Sequence, residues 1–145
     1  MLDGEIPIGR KLFEEIDKPI ESKLTSENRD EGIIEIESSW TGDIKGYKPF
    51  PSGRAVGSGH SYIHNNGGII ISHWQGEFRT EGNEEEEYMT FKGRDVNKNG
   101  KFVVLRTYFT KSHSLGWMNG LVCILSGKVE TSPRIFKSTG YELIL

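Results

Sequence analysis

Asn65-Asn66-Gly67-Gly68 separates two runs, GSGHSYIH before it and IIISHWQGEFR after it. Both runs are rich in β-branched and aromatic residues, and Asn-Gly tolerates the positive φ that a tight turn between strands demands. The stretch therefore predicts a β-hairpin over residues 57–79. Either a two-residue or a four-residue loop gives the same register, in which Ser58 faces Gln75, His60 faces His73, Tyr62 faces Ile71 and His64 faces Ile69. Side chains alternate along a strand, so these eight share one face. The other face carries Gly57 with Gly76, Gly59 with Trp74, Ser61 with Ser72 and Ile63 with Ile70.

The rest of the chain repeats this pattern. Ile34 and Ile36 alternate with Glu35 and Glu37, which marks a half-buried strand. Tyr88–Val96 and Phe102–Thr110 flank Asn97-Lys98-Asn99-Gly100, a second hairpin signal. The sequence does not decide the register there; a two- or four-residue loop would pair the Met89/Phe91 face with Phe102/Val104/Arg106, and the other face with Val103/Leu105/Phe109. Residues 117–129 are apolar on both parities, and 135–145 read as a final strand. Arg10–Ile16 and Ile20–Thr25 read as two short strands broken by Asp17-Lys18-Pro19, which makes residues 1–31 the least defined segment. Tyr47–Gly53, with two prolines, reads as a loop, and Thr80–Glu87, with four successive glutamates, as a solvated turn. No helical period persists for ten residues. The expectation is an all-β fold: a single antiparallel β-barrel of about eight strands spanning 1–145, since closure removes exposed strand edges. A β-sandwich is the alternative.

Composition narrows the class. The chain has 145 residues, 34% hydrophobic and 27% charged, which fits one folded domain. No apolar run reaches the ~20 residues of a membrane helix, and the N-terminus lacks a secretory pattern. The net charge of −3, with no Lys/Arg cluster, argues against nucleic acid as the partner. The single Cys123 leaves no internal disulfide and fits a reducing, cytoplasmic setting. A strand that is apolar on both faces needs a second core, and a homo-oligomer interface is the simplest one.

Several stretches together resemble the small β-barrels that include allene oxide cyclase. They are Gly42-Asp43-Ile44-Lys45-Gly46, the hairpin ending in Gln75-Gly76-Glu77, Phe91-Lys92-Gly93, and Phe109-Thr110-Lys111-Ser112 leading to Met118-Asn119-Gly120-Leu121. The resemblance covers residues 33–145 as a pattern of strands and glycines. It implies an antiparallel barrel, frequently oligomeric, with room for a small, mostly apolar ligand. The functional residues of a cyclase do not map onto this chain one by one, so that chemistry is not carried over.

The candidate site is the histidine face. His60 and His73, directly opposed, would bring two imidazoles within ~4.5–5.5 Å at Cβ and could share a proton. A metal would need a third ligand from another strand. No metal site and no cofactor is expected. Glu77 shares the His73 parity, and a carboxylate in an apolar cavity has a raised pKa suited to acid–base work. His60, His73 and Glu77 are thus the catalytic candidates, with Tyr62, Trp74, Gln75 and Asn119 as ligand-binding candidates. Asn119 has a bland reading too, satisfying backbone beside Gly120. Arg106, in an apolar strand, either binds an anion or pairs with an acidic neighbour. The expected function is binding of a small, mostly apolar molecule, with cofactor-free isomerisation or cyclisation as its catalytic extension. The alternative is a non-catalytic oligomeric module with a filled barrel. A cavity inside the barrel separates the two.

Overall fold

The computed structural model describes residues 6–28, 30–81 and 87–145, so most of the glutamate-rich turn lies outside the described residues. Eight strands run in chain order: β1 (Ile8–Asn28), β2 (Ile33–Gly46), β3 (Gly53–His64), β4 (Ile69–Thr80), β5 (Tyr88–Lys98), β6 (Lys101–Phe109), β7 (Val122–Thr131) and β8 (Arg134–Leu143). Each pairs antiparallel with its sequence neighbour, and β8 pairs back with β1 to close the barrel. The sandwich alternative is thereby set aside. Closure gives every strand a partner on each side over at least part of its length. No helix among the described residues is long and apolar enough to cross a membrane.

The hairpin register is the expected one. His60 faces His73, Ser61 faces Ser72 and Ser58 faces Gln75. The loop is four residues long, with a single 3-10 turn at Asn65–Gly67, and Asn66 and Gly67 adopt φ of 55° and 96°. Asn99 and Gly100 also have positive φ, in a two-residue loop that pairs Lys98 with Lys101.

β1 differs from the expectation. It is one strand of 21 residues rather than two. Pro19 does not end it because β8 pairs with β1 only as far as Asp17. Beyond that point β1 bonds β2 alone, with a register shift between Pro19 and Glu21. A proline is tolerated where its missing N–H faces no partner strand.

Parity decides what fills the barrel. Phe13, Trp40, Ile44, Ala55, Phe78, Met89, Phe91, Phe102, Val104, Tyr108, Cys123 and Leu125 form the inner wall and are buried. Large rings meet glycines: a Cβ at Gly57 would collide with the Trp40 indole, and one at Gly42 with the Asp17 carboxylate. Antiparallel order puts loops 47–52 and 110–121 at one end and the four hairpin turns at the other. The loop end is plugged. Phe50, from loop 47–52, stacks within 4.7 Å of Phe13 and lies 5.8 Å from Tyr108 and 6.2 Å from Phe78. Met118, at 0% exposure, closes the same end from the 3-10 turn at Gly116–Met118.

The outer wall also carries apolar side chains. Tyr62, Ile71, Val96 and Val103 lie in one row across β3 to β6. Ile71, Val96 and Val103 are exposed in the single chain.

Candidate functional site

The plug fills only the loop end of the barrel. Toward the hairpin turns a cavity of about 170 Å³ remains. Its apolar wall includes Trp40, Trp74, Ile70, Phe102, Val104 and Leu125. Its polar wall includes Asp17, Asp95, Arg106 and Ser138. Ser22 and Arg134 mark its exposed mouth.

The histidine face is not part of this wall. His60, Tyr62, His73, Gln75 and Glu77 project from the outer surface of β3 and β4, and His60, His73, Gln75 and Glu77 are exposed. The reason is steric. The opposite parity carries the small residues Gly57, Ser61, Ser72 and Gly76, which leave room inside for the Trp40 and Trp74 indoles. Outside, His60 lies 3.5 Å from Glu35 and the Tyr62 ring stands edge-on to His73 at 6.2 Å. Among the described residues no three metal-ligating side chains come together. Of the ligand-binding candidates, Trp74 alone lines the cavity. Asn119 lies at the plugged end, where its amide brackets the backbone of Thr110: Thr110 N–H donates to Oδ1 at 2.8 Å and Nδ2 donates to the Thr110 carbonyl at 3.0 Å.

The lumen is organised by acidic residues that sequence reading did not single out. Arg106 donates to both oxygens of Glu15, at 2.6 Å and 3.0 Å, and Nη1 also reaches the Tyr108 hydroxyl at 3.3 Å. The guanidinium lies over the Phe91 ring at 4.8 Å. Burial works against the Glu15 charge, but the Arg106 charge and hydrogen bonds outweigh it and hold Glu15 below the ordinary glutamate range. Asp17, two residues along the same face, has the opposite fate. Burial raises its pKa well above the usual value, and the neighbouring Glu15 charge raises it further. The two carboxyls lie close enough to act on one another directly. Burial and the Glu15 charge thus both favour the neutral form of Asp17.

Asp95 stands on β5, across the barrel from β1. Trp74 Nε1–H donates to its Oδ2 at 2.9 Å. Burial raises its pKa, opposed by the Trp74 and Ser72 hydrogen bonds. Among the described residues, three sealed polar atoms have no hydrogen-bond partner: Asp17 Oδ1, Asp95 Oδ1 and Ser138 Oγ. Such atoms are costly in an apolar interior, and they are sealed within the wall rather than facing open space in the lumen. Cys123, on the inner wall beside Arg106, has its thiol pushed up to about 12 by burial, which makes it a poor nucleophile.

The raised acids make a pH prediction. Folded Asp17 and Asp95 bind protons more tightly than the unfolded chain does. Their contribution is therefore neutral below the unfolded pKa, and a penalty grows as pH rises toward the folded values. Asp17→Asn keeps a neutral, hydrogen-bonding side chain at every pH. Its unfolding free energy by urea titration should fall less steeply than wild type as pH rises above the unfolded aspartate pKa of ~3.9. Parallel curves for the two proteins would mean that Asp17 is already ionised in the fold.

No family model matches the chain, and no curated protein matches it. Solved structures do. A protein of unknown function from Clostridium acetobutylicum is 13% identical, with 93% of this chain and 98% of that one covered and a TM-score of 0.67. An enzyme from Penicillium herquei is 14% identical, with 98% and 100% covered and the same TM-score of 0.67. A β-barrel-like protein from Acinetobacter baumannii is 16% identical, with 99% and 100% covered and a TM-score of 0.70. At these identities the likeness is one of fold, and it spans nearly the whole of each chain. The protein is a small, closed antiparallel β-barrel of the architecture those structures share.

Proposed function

We propose that the barrel binds a small, mostly apolar molecule in its lumen, and that Asp17 serves there as a proton donor for cofactor-free isomerisation or ring closure. The observation that carries this reading is the cavity of about 170 Å³, lined by apolar side chains together with Asp17, Asp95, Arg106 and Ser138. Ligand pockets combine an apolar lining with a few convergent polar groups and perturbed titratable residues in this way. An engineered apolar cavity of ~150 Å³ holds benzene, so a single ring is the right scale. A filled barrel serving assembly alone would have no such space. The allene oxide cyclase-like pattern and the presence of an enzyme among the fold's known members are compatible with catalysis in the lumen.

The chemistry follows from the pair. Burial and the Glu15 charge favour the protonated form of Asp17, while Arg106 favours the charged form of Glu15. Protonation of a bound molecule by Asp17 would leave a second negative charge next to Glu15, which favours the proton's return. A positioned acid of this kind is worth about 10²–10⁴ in rate.

Binding is tested by titrating toluene, indole and cyclohexanone into isotopically labelled protein. Shifts are expected at Ile70, Phe102 and Leu125, and should vanish in Val104→Trp, which fills the lumen. Shifts confined to the outer wall, or none, would overturn the reading.

A further inference from the structure

We propose that the outer wall carries a second binding site, separate from the lumen, for a small phosphorylated molecule: an aryl or short alkyl phosphate monoester with its phosphate on Lys92 and Arg94 and its organic group over Leu105 and Val122. This goes beyond the lumen reading and does not rest on it.

The outer face of the hairpin is not featureless. A groove of about 620 Å³ crosses it, between Glu37 on β2 and Val122 on β7. Small-molecule sites run to ~300–1,000 Å³, so one ligand of modest size fits. Strand register sets its side chains out as a grid. His73, Arg94 and Leu105 stand in one row, and Gln75, Lys92 and Thr107 in the next. Val122 extends the second row onto β7. Lys92 and Arg94 are two residues apart on one face of β5, so ~7 Å separates them along the strand. Gln75 stands beside Lys92 and His73 beside Arg94, each ~5 Å away at Cβ. All four central side chains carry N–H donors, since an imidazole keeps at least one N–H in either charge state.

The two cations have nothing to neutralise them. Among the described residues neither Lys92 nor Arg94 has an ion-pair partner. The carboxylates of this wall are engaged or remote. Glu35 lies 3.5 Å from His60, and Glu77 lies 3.5 Å from Arg79. Glu37 stands on β2, three strands away from β5. The chain as a whole carries a net charge of −3, so this pair reverses the sign of the surface locally and draws an anion to the groove.

Two cations favour phosphate over carboxylate. A carboxylate brings one charge and two oxygens, which one cation satisfies. A phosphate monoester brings about −1.5 to −2 of charge at pH 7 and three acceptor oxygens, enough for both. The guanidinium fork can donate two N–H bonds to it at once, and the ammonium adds a point charge beside them.

The ends of the groove give the ligand a direction. Glu37 repels an anion from the β2 edge. On the other side Leu105 is 49% exposed and Val122 is half-buried, which makes an apolar edge. The phosphate therefore sits over β4 and β5, and an aryl or alkyl group lies toward β6 and β7.

Phenyl phosphate, inorganic phosphate and benzoate separate these contributions when titrated into isotopically labelled protein at about pH 7. Salt is held near ~0.01 M, where charges act over ~30 Å. Phenyl phosphate is expected to move the resonances of His73, Lys92, Arg94 and Leu105, to leave Ile70, Phe102 and Leu125 in place, and to bind at least about tenfold more tightly than benzoate. Inorganic phosphate should move Lys92 and Arg94 without Leu105, and bind more weakly. Lys92→Ala combined with Arg94→Ala should abolish binding. Lys98→Ala combined with Lys101→Ala removes the same charge from a facing pair outside the groove and should keep most of it. Equal losses from the two double variants would show a general attraction to surface charge and overturn the site. Benzoate binding as tightly as phenyl phosphate would overturn the phosphate assignment, and an oligonucleotide binding more tightly than phenyl phosphate would overturn the small-molecule one. Phenyl phosphate shifts confined to Ile70, Phe102 and Leu125 would overturn the outer site and leave the lumen reading standing.

Discussion

Exchanging Arg106 for methionine is expected to destabilise the barrel by about 3–5 kcal/mol, measured by equilibrium urea unfolding at neutral pH. The loss comes from what the exchange leaves behind. Glu15 is 1% exposed and loses both of its charge-assisted hydrogen bonds, and Tyr108 loses a donor to its hydroxyl. With the guanidinium gone, burial alone acts on Glu15 and drives its pKa up, so the carboxyl takes a proton rather than stay charged. That protonation caps the penalty and makes it pH-dependent. In wild type, Glu15 is held below its ordinary pKa, so its contribution is present above the unfolded value and lost as pH falls through the folded one. The difference between Arg106→Met and wild type should therefore shrink under acid. The double exchange Glu15→Leu with Arg106→Met should recover most of the loss, because a buried ion pair replaced whole by apolar residues is close to neutral. A single exchange costing under about 1 kcal/mol would mean that water reaches the pair. A double exchange as costly as the single would mean that packing, not charge, is what Arg106 supplies.

Glu15 and Arg106 lie 91 positions apart in the chain, and that separation explains why the centre of the site was hard to read. Hairpin geometry is local. Asn66-Gly67 and Asn99-Gly100 announced their turns, because the turn residues and the alternation sit within a few positions of one another; the first register was legible, whereas the sequence left that of the Asn97–Gly100 loop open. Which face points inward is a property of the closed ring. The polar histidine face looked like a site. The Gly/Ser face is inside because the barrel needs small residues beside the Trp40 and Trp74 rings. One signal was present. Glu15 shares parity with Phe13, and Asp95 shares parity with Met89 and Phe91, so each is a carboxylate in step with an apolar face. Pro19 obscured the first, since a proline in an interior strand is normally a break, and only the pairing of β1 with β2 alone beyond Asp17 shows why it is not.

Phe50 is the other residue that closure alone explains, and its removal should rival that of Arg106. The Tyr47–Gly53 segment reads as a proline-rich loop, and loop phenylalanines are ordinarily of little consequence. Here the ring is 2% exposed and stands within 6.5 Å of four other rings, those of Phe13, Phe78, Tyr108 and Trp117. These belong to β1, β4, β6 and the segment after β6, so one side chain ties three walls of the barrel and a second loop to its end. Phe50→Ala is expected to cost about 3–5 kcal/mol, since the surrounding strands are hydrogen-bonded into a ring and cannot collapse into the space. Phe109 provides the comparison. It is also a phenylalanine, but on the outer parity and 57% exposed, and Phe109→Ala should stay within about 0.5 kcal/mol of wild type. Equal losses from the two exchanges would show that Phe109 is covered in solution, which is the behaviour an oligomer through the outer wall would produce. A small loss at Phe50 would show that the loop end is not plugged, and the lumen would then be a channel open to water at both ends. Water around Asp17 would remove the burial that raises its pKa. The acid–base reading of the lumen therefore depends on the plug as directly as on the carboxyls themselves.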